Sequence, residues 1–77
     1  MENQNWKIIF RKRLVEYLDR RGMTQGELAW KIRVSRASVN AYINGVRVPS
    51  VPTIVNIAHA LSCHVSDLVG VYDIDEY

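Results

Sequence analysis

Arg36, Asn40 and Asn44 recur every four residues in the segment SRASVNAYING, with Ala37 and Ala41 beside them. On a helix that spacing gathers all five on one strip. The strip then carries a forked guanidinium, two carboxamides that each donate and accept, and methyl groups small enough to let the helix axis come close to whatever it meets. Such a set suits the edges of nucleic-acid bases. Arginine forks onto guanine O6 and N7 and asparagine pairs with adenine N6 and N7, each worth about 1–3 kcal/mol of discrimination, while alanine touches the thymine methyl. Paired Glu and Lys on the same strip would instead read as solvated surface.

The strip needs a helix, and Ser35 supplies its cap, so that the helix runs from about Arg36 to Asn44. Val39 and Ile43, supported by Val34 and Tyr42, form its inner face. A second short helix precedes it. Thr24 caps that one, Glu27 three residues on completes a capping box, and the helix starts at Gln25. Leu28, Ala29 and Ile32 make its buried stripe. Ala29 is the small residue that lets two helices cross at close range. Arg33 and Val34 leave room only for a sharp turn between the two helices.

MTQGELAWKI, VSRASVNAYINGVRVPS and IAHALSCHVSDLV follow one another from Met23 to Val69 without a gap. In this order and spacing the chain resembles the lambda repressor and Cro-like helix-turn-helix family, also called the xenobiotic-response-element type. The resemblance implies an all-α, compact five-helix DNA-binding domain with the helix-turn-helix at helices 2 and 3. It implies that Arg36, Ala37, Asn40 and Ala41 face bases and that Gln25 touches a phosphate at the start of the first motif helix. Asn44 and Arg47 would lie near the backbone, with Ser35 and Arg33 beside them.

Two departures from the family pattern bear on that expectation. The family usually places Gly where Arg33 stands, because the turn demands a left-handed conformation that costs a residue with a side chain about 1–2 kcal/mol. Either Arg33 is strained, or the turn is recast and the extra cation lies beside a phosphate. Many relatives also carry an Arg in the first helix and a Glu late in the recognition helix that meet as a buried ion pair. Leu18 and Ile43 hold those positions here. Exchanging a buried pair for packed apolar groups is often neutral or stabilising, so the two side chains are expected to touch.

The remaining segments read as support. Trp6, Phe10, Leu14, Tyr17 and Leu18 share one helical stripe, which predicts a helix from about Trp6 to Arg21, ended by Gly22. Pro49 and Pro52 make VRVPSVP a loop. Pro52 suits the first position of a fourth helix, with Ile54, Val55, Ile57, Ala58 and Leu61 mostly buried and an end near Ser62. Ser66 is expected to cap a last short helix containing Leu68 and Val69. Residues 1–70 form the domain and residues 71–77 an acidic and apolar tail.

Composition sets the outer bounds. Seventy-seven residues make one domain whose core is small enough for oligomerisation to help. No apolar run approaches the roughly 20 residues that span a bilayer, no signal-peptide layout is present, and one cysteine allows no internal disulfide, so a reducing, cytoplasmic setting is expected. The net charge of +2 hides a partition. Ten cations against four acids leave residues 1–49 at +6, while four acids and no cation leave residues 50–77 at −4. A basic head with an acidic tail fits a protein that lays one face on phosphate. Arg11 and Arg13, with Lys7, are expected to grip the adjoining backbone, and Lys12, Arg20 and Arg21 to be merely solvated.

Other reactive side chains point to no chemistry. Cys63 fits a packing role before the last helix. His59, Cys63 and His64 lack a fourth donor and match no zinc spacing, so no metal and no cofactor are expected. Neither histidine has a nucleophile arranged beside it, and there is no glycine-rich phosphate loop, which argues against an enzyme. Trp30 stands where the family has an exposed polar residue; it is expected to cover the edge of the core, with a partner surface as the alternative. In the tail, Val69, Val71, Tyr72 and Ile74 are expected to form a two-fold dimer interface, placing two recognition helices in successive major grooves. The expected partner is a palindromic double-stranded operator bound by a homodimeric repressor, with no membrane contact and no small-molecule effector. The rival reading is an antitoxin or adaptor that uses the same fold to hold a protein.

Overall fold

Apolar residues at helical spacing in five separate stretches converge on one cluster. The computed structural model describes residues 5–70, and among these the only regular elements are helices. They are α1 (Asn5–Arg21), α2 (Gln25–Ile32), α3 (Arg36–Asn44), α4 (Val51–Ala60) and α5 (Val65–Val69). Phe10, Leu14 and Leu18 of α1 meet Leu28, Ala29 and Ile32 of α2, Val39 and Tyr42 of α3, Ile54, Ile57 and Ala58 of α4, and Leu68 and Val69 of α5. Leu61, just past α4, completes the core. Among the described residues none of the buried ones is polar or charged, so no desolvated charge there offsets the hydrophobic gain.

Caps explain where α2 to α5 begin. Thr24 Oγ1 accepts from the Glu27 backbone N–H at 3.0 Å, and Glu27 Oε1 accepts from the Thr24 N–H at 2.8 Å, which is the expected capping box. Ser35 Oγ accepts from the Ser38 N–H at 3.0 Å and starts α3. Gly22, at φ +62°, ends α1 in the left-handed conformation that a residue without Cβ adopts freely.

Three boundaries or faces differ from the sequence expectation. Tyr42 is buried where Ile43 was expected to lead: α3 is rolled so that Val39 and Tyr42 point inward, and Ile43 packs at the cluster's edge. Leu18 belongs to that same cluster, and Ile43 packs against it from outside. α4 starts one residue early, because Ser50 Oγ accepts from the Thr53 N–H at 3.3 Å and leaves Pro52 in the second helical position. α5 is capped at His64 rather than Ser66. Asp67 Oδ2 accepts from the His64 N–H at 3.0 Å, and Ser66 falls inside the helix.

Candidate nucleic-acid interface

Burial of Val39 and Tyr42 forces the opposite side of α3 outward. Arg36, Ala37, Asn40 and Asn44 are exposed and Ala41 is half-buried, so the base-type residues singled out in the sequence do share one surface. Ala29 of α2 is almost wholly buried where α2 packs on α3, in keeping with a close crossing. Gly26, in the first turn of α2, lies under Arg36: a Cβ built there would be 3.9 Å from Arg36 Cδ.

Two polar chains run over this surface. Asn44 Nδ2 donates to Asn40 Oδ1 at 2.9 Å, and Asn40 Nδ2 donates to Gln25 Oε1 at 3.3 Å. Arg47 Nη1 donates to Ser38 Oγ at 2.9 Å, and that hydroxyl is 3.0 Å from Ser35 Oγ. Arg36 makes no hydrogen bond among the described residues, although its neighbours on the strip do. All of these bonds are exposed, so water or a ligand exchanges with them at a net cost of about 0.5–1.5 kcal/mol each. The link from α3 back to Gln25 has no signature in the sequence, since it joins residues 15 apart across a turn.

The turn itself decides between the two readings of Arg33. Its φ of 62° and ψ of 44° are left-handed, and the N–H of Val34 donates to Ala29 O at 3.0 Å to close it. The turn is therefore not recast. Arg33 carries the strain of a residue with a Cβ in that region, and its side chain is exposed.

Cations of α1 are placed differently from the expectation. Arg11 Nε donates to the Ile43 carbonyl at 3.1 Å, at the end of α3. Arg13 Nη1 donates to the Asp67 carbonyl in α5. Arg21, expected to be merely solvated, donates from Nε to Leu61 O at 2.7 Å and from Nη2 to Ser62 O at 3.2 Å, beyond the end of α4. Arg20 and Arg21 also lie over the Tyr17 ring, at 4.8 and 5.5 Å from its centroid. Three arginines of one helix thus hold carbonyls at the C-terminal ends of three others, where the helix dipole is negative. Residues two apart on a helix point about 200° apart, so Arg11 lies on the α3 side of α1 and Arg13 on the α5 side. Arg13 is committed to the α5 side.

Several other sequence expectations are also settled by position. Trp30 does not cover the core: it is 82% exposed, on a surface groove shared with Met23, Glu27 and Lys31. α2 turns its stripe of Leu28, Ala29 and Ile32 inward, and Trp30 falls outside that stripe. Val69 is 7% exposed within the core, so its side chain is unavailable to a dimer interface. A helix as short as α5 must bury both Leu68 and Val69 to be held at all. Val71, Tyr72 and Ile74 lie outside the described residues. Cys63 packs against the core; burial foremost, then the Asp67 carboxylate, push its thiol above the usual range, against the opposing pull of Arg21. Among the described residues no helix is long and apolar enough to cross a membrane.

Comparison with known proteins gives two positive findings. A family model described as helix-turn-helix matches residues 14–68. The solution structure of the SOS-response transcriptional repressor LexA from Eubacterium rectale superposes with a TM-score of 0.77 at 29% identity, over 90% of this chain and 73% of that one. None of the curated proteins matches the chain.

Proposed function

We propose that this chain, which belongs to the lambda repressor and Cro-like helix-turn-helix family, reads a specific operator by laying α3 in the major groove of double-stranded DNA. Membership makes it a DNA-binding transcription regulator; the operator, the residue roles and the dimer are our reading. The observation that carries it is the division of α3 into a buried side, Val39 and Tyr42, and an exposed one of Arg36, Ala37, Asn40 and Asn44. A surface kept slim by alanine and lined with fork and amide donors meets base edges without steric cost. Arg36 takes guanine, and Ala37, Asn40 and Ala41 line the rest of the contact. Gln25, Ser35, Asn44 and Arg47 border the strip and hold the phosphates, with Arg33 beside them and Arg11 at the far end of α3. Two chains bind a palindrome with recognition helices roughly 34 Å apart, and repression follows from occupying the promoter.

Selection of bound sequences from a random duplex library, repeated with Arg36→Ala, tests this. An enriched palindrome whose preference relaxes at one position in the variant is the expected result. Binding that is sensitive to salt but indifferent to sequence rejects it. For the dimer, sedimentation of a chain lacking residues 71–77 is the check: an unchanged oligomeric state removes Val71, Tyr72 and Ile74 from the interface.

A second reading rests on Trp30. An aromatic side chain 82% exposed suits a protein partner, as an antitoxin or adaptor would need. DNA selection by a Trp30→Ala variant that equals the parent, together with loss of a protein partner, would favour it.

A further inference from the structure

The Asn44, Asn40 and Gln25 amides are joined head to tail, and that arrangement has a direction. Asn44 gives its nitrogen to the Asn40 oxygen at 2.9 Å, and Asn40 gives its nitrogen to the Gln25 oxygen at 3.3 Å. A carboxamide has one acceptor end and one donor end. With Gln25 Oε1 occupied, the group left to present at the start of α2 is its NH2, with two N–H donors. A phosphate only accepts, so this is the end it needs; a Gln25 turned the other way would meet it oxygen to oxygen.

We infer that Asn40 is a positioning residue for the phosphate grip of Gln25, and that α2 and α3 act on DNA as one polar unit through it. The inference rests on the DNA-binding reading and narrows it, because Asn40 stands on the base-facing strip. One N–H and one lone pair of Asn40 are already engaged, each to a side chain of the protein. Through that N–H Asn40 sets which end of the Gln25 amide faces outward. Discrimination among bases falls to Arg36, which has no hydrogen-bond partner among the described residues, and to the methyl groups of Ala37 and Ala41. Position supports this too. Gln25 is half-buried at the start of α2, and the Asn40 donor lies within hydrogen-bond reach of its amide oxygen.

The experiment compares Asn40→Ala, Gln25→Ala and the double variant with the parent chain. Asn40 is exposed and Gln25 borders the same surface, so all three should keep the parent's helical content and melting temperature. In the free protein, Gln25→Ala should move a side-chain NH2 resonance of Asn40, because its acceptor is gone. On the selected operator, each single variant should bind about threefold to tenfold more weakly, the range for losing one hydrogen bond. The double variant should be no weaker than the worse single one, and the preferred sequence should be unchanged in all three. Additive losses with preference relaxed at one base pair would overturn the inference by making Asn40 an independent base reader. An Asn40 resonance that does not move overturns the relay without touching the DNA reading. A parent chain that selects no sequence, with the resonance shifted as expected, overturns the DNA reading and with it the phosphate end of the relay.

Discussion

The arginines of α1 and those around α3 are the same residue type doing opposite things. Arg11, Arg13 and Arg21 reach across 32, 54 and 40 residues to backbone carbonyls of α3, α5 and the end of α4. Among the described residues Arg36 has no such bond, and the side-chain hydrogen bond of Arg47 goes to the Ser38 hydroxyl. Arg13 and Arg21 fasten helices together, Arg11 holds the end of α3 while its side chain stays exposed, and Arg36 is held out to solvent. The lesson concerns charge: a basic half at +6 looks like one phosphate footprint, yet three of its ten cations hold carbonyls of other helices. Net charge measures the field a protein offers to DNA, but only geometry says which cations remain to meet it.

The contrast can be broken by experiment. Its sharpest test is Arg36→Ala, which should weaken binding to the selected operator by about 1–3 kcal/mol while leaving the melting temperature unchanged; a fall in melting temperature would move Arg36 into the structural set. Next comes Arg33→Gly. Relief of the left-handed strain should stabilise the fold by about 1–2 kcal/mol, which for a domain of this size raises the melting temperature by roughly 4–8 °C per kcal/mol. If the melting temperature stays level, φ is not costing the fold.

Arg21→Met keeps an apolar stem and removes the donors to Leu61 and Ser62. A loss of about 1 kcal/mol in thermal or urea unfolding is expected, with the salt dependence of DNA binding unaltered. Arg47→Ala should do the reverse, lowering the slope of log affinity against log salt by about 1 without changing stability. If Arg21 lowered the salt slope instead, the division between the two sets of cations would fail. The smallest effect is Gly26→Ala. Its new Cβ would meet Arg36 Cδ and Thr24 Oγ1 at ordinary contact distances of 3.9 Å, so the gain in helix propensity, about 0.5–1 kcal/mol, should appear in stability.

Those same cations show where the sequence was legible. α2 and α3 and their caps follow from local rules, because Thr24 with Glu27 and Ser35 with Ser38 act within three residues. The exposed strip of α3 followed from period alone. Arg13 and Arg21 did not, since their partners are carbonyls set by the tertiary fold and a carbonyl is the same in every residue. Trp30 misled because size suggests burial, whereas the turn of α2 places it outside. Val69 misled in the opposite sense: an apolar residue at the start of an apolar tail looked available, and the five-residue α5 needed it for the core. The His64 cap was readable in principle from Asp67 three residues on, a spacing that resembles the box at Thr24.

The two-sided α3 has a consequence for how such a protein changes over generations. Its core contribution comes from Val39 and Tyr42, and its N-terminal hold from Ser35, none of which belongs to the outer strip. If α3 reads DNA as proposed, the exposed Arg36 and Ala37 can be exchanged one at a time with the scaffold left intact, so a lineage can drift to a new binding sequence through intermediates that all fold. On that reading the fold is a socket with interchangeable contacts, and the stability that tolerates those exchanges comes from Val39 and Tyr42 on the buried side and from the Ser35 cap.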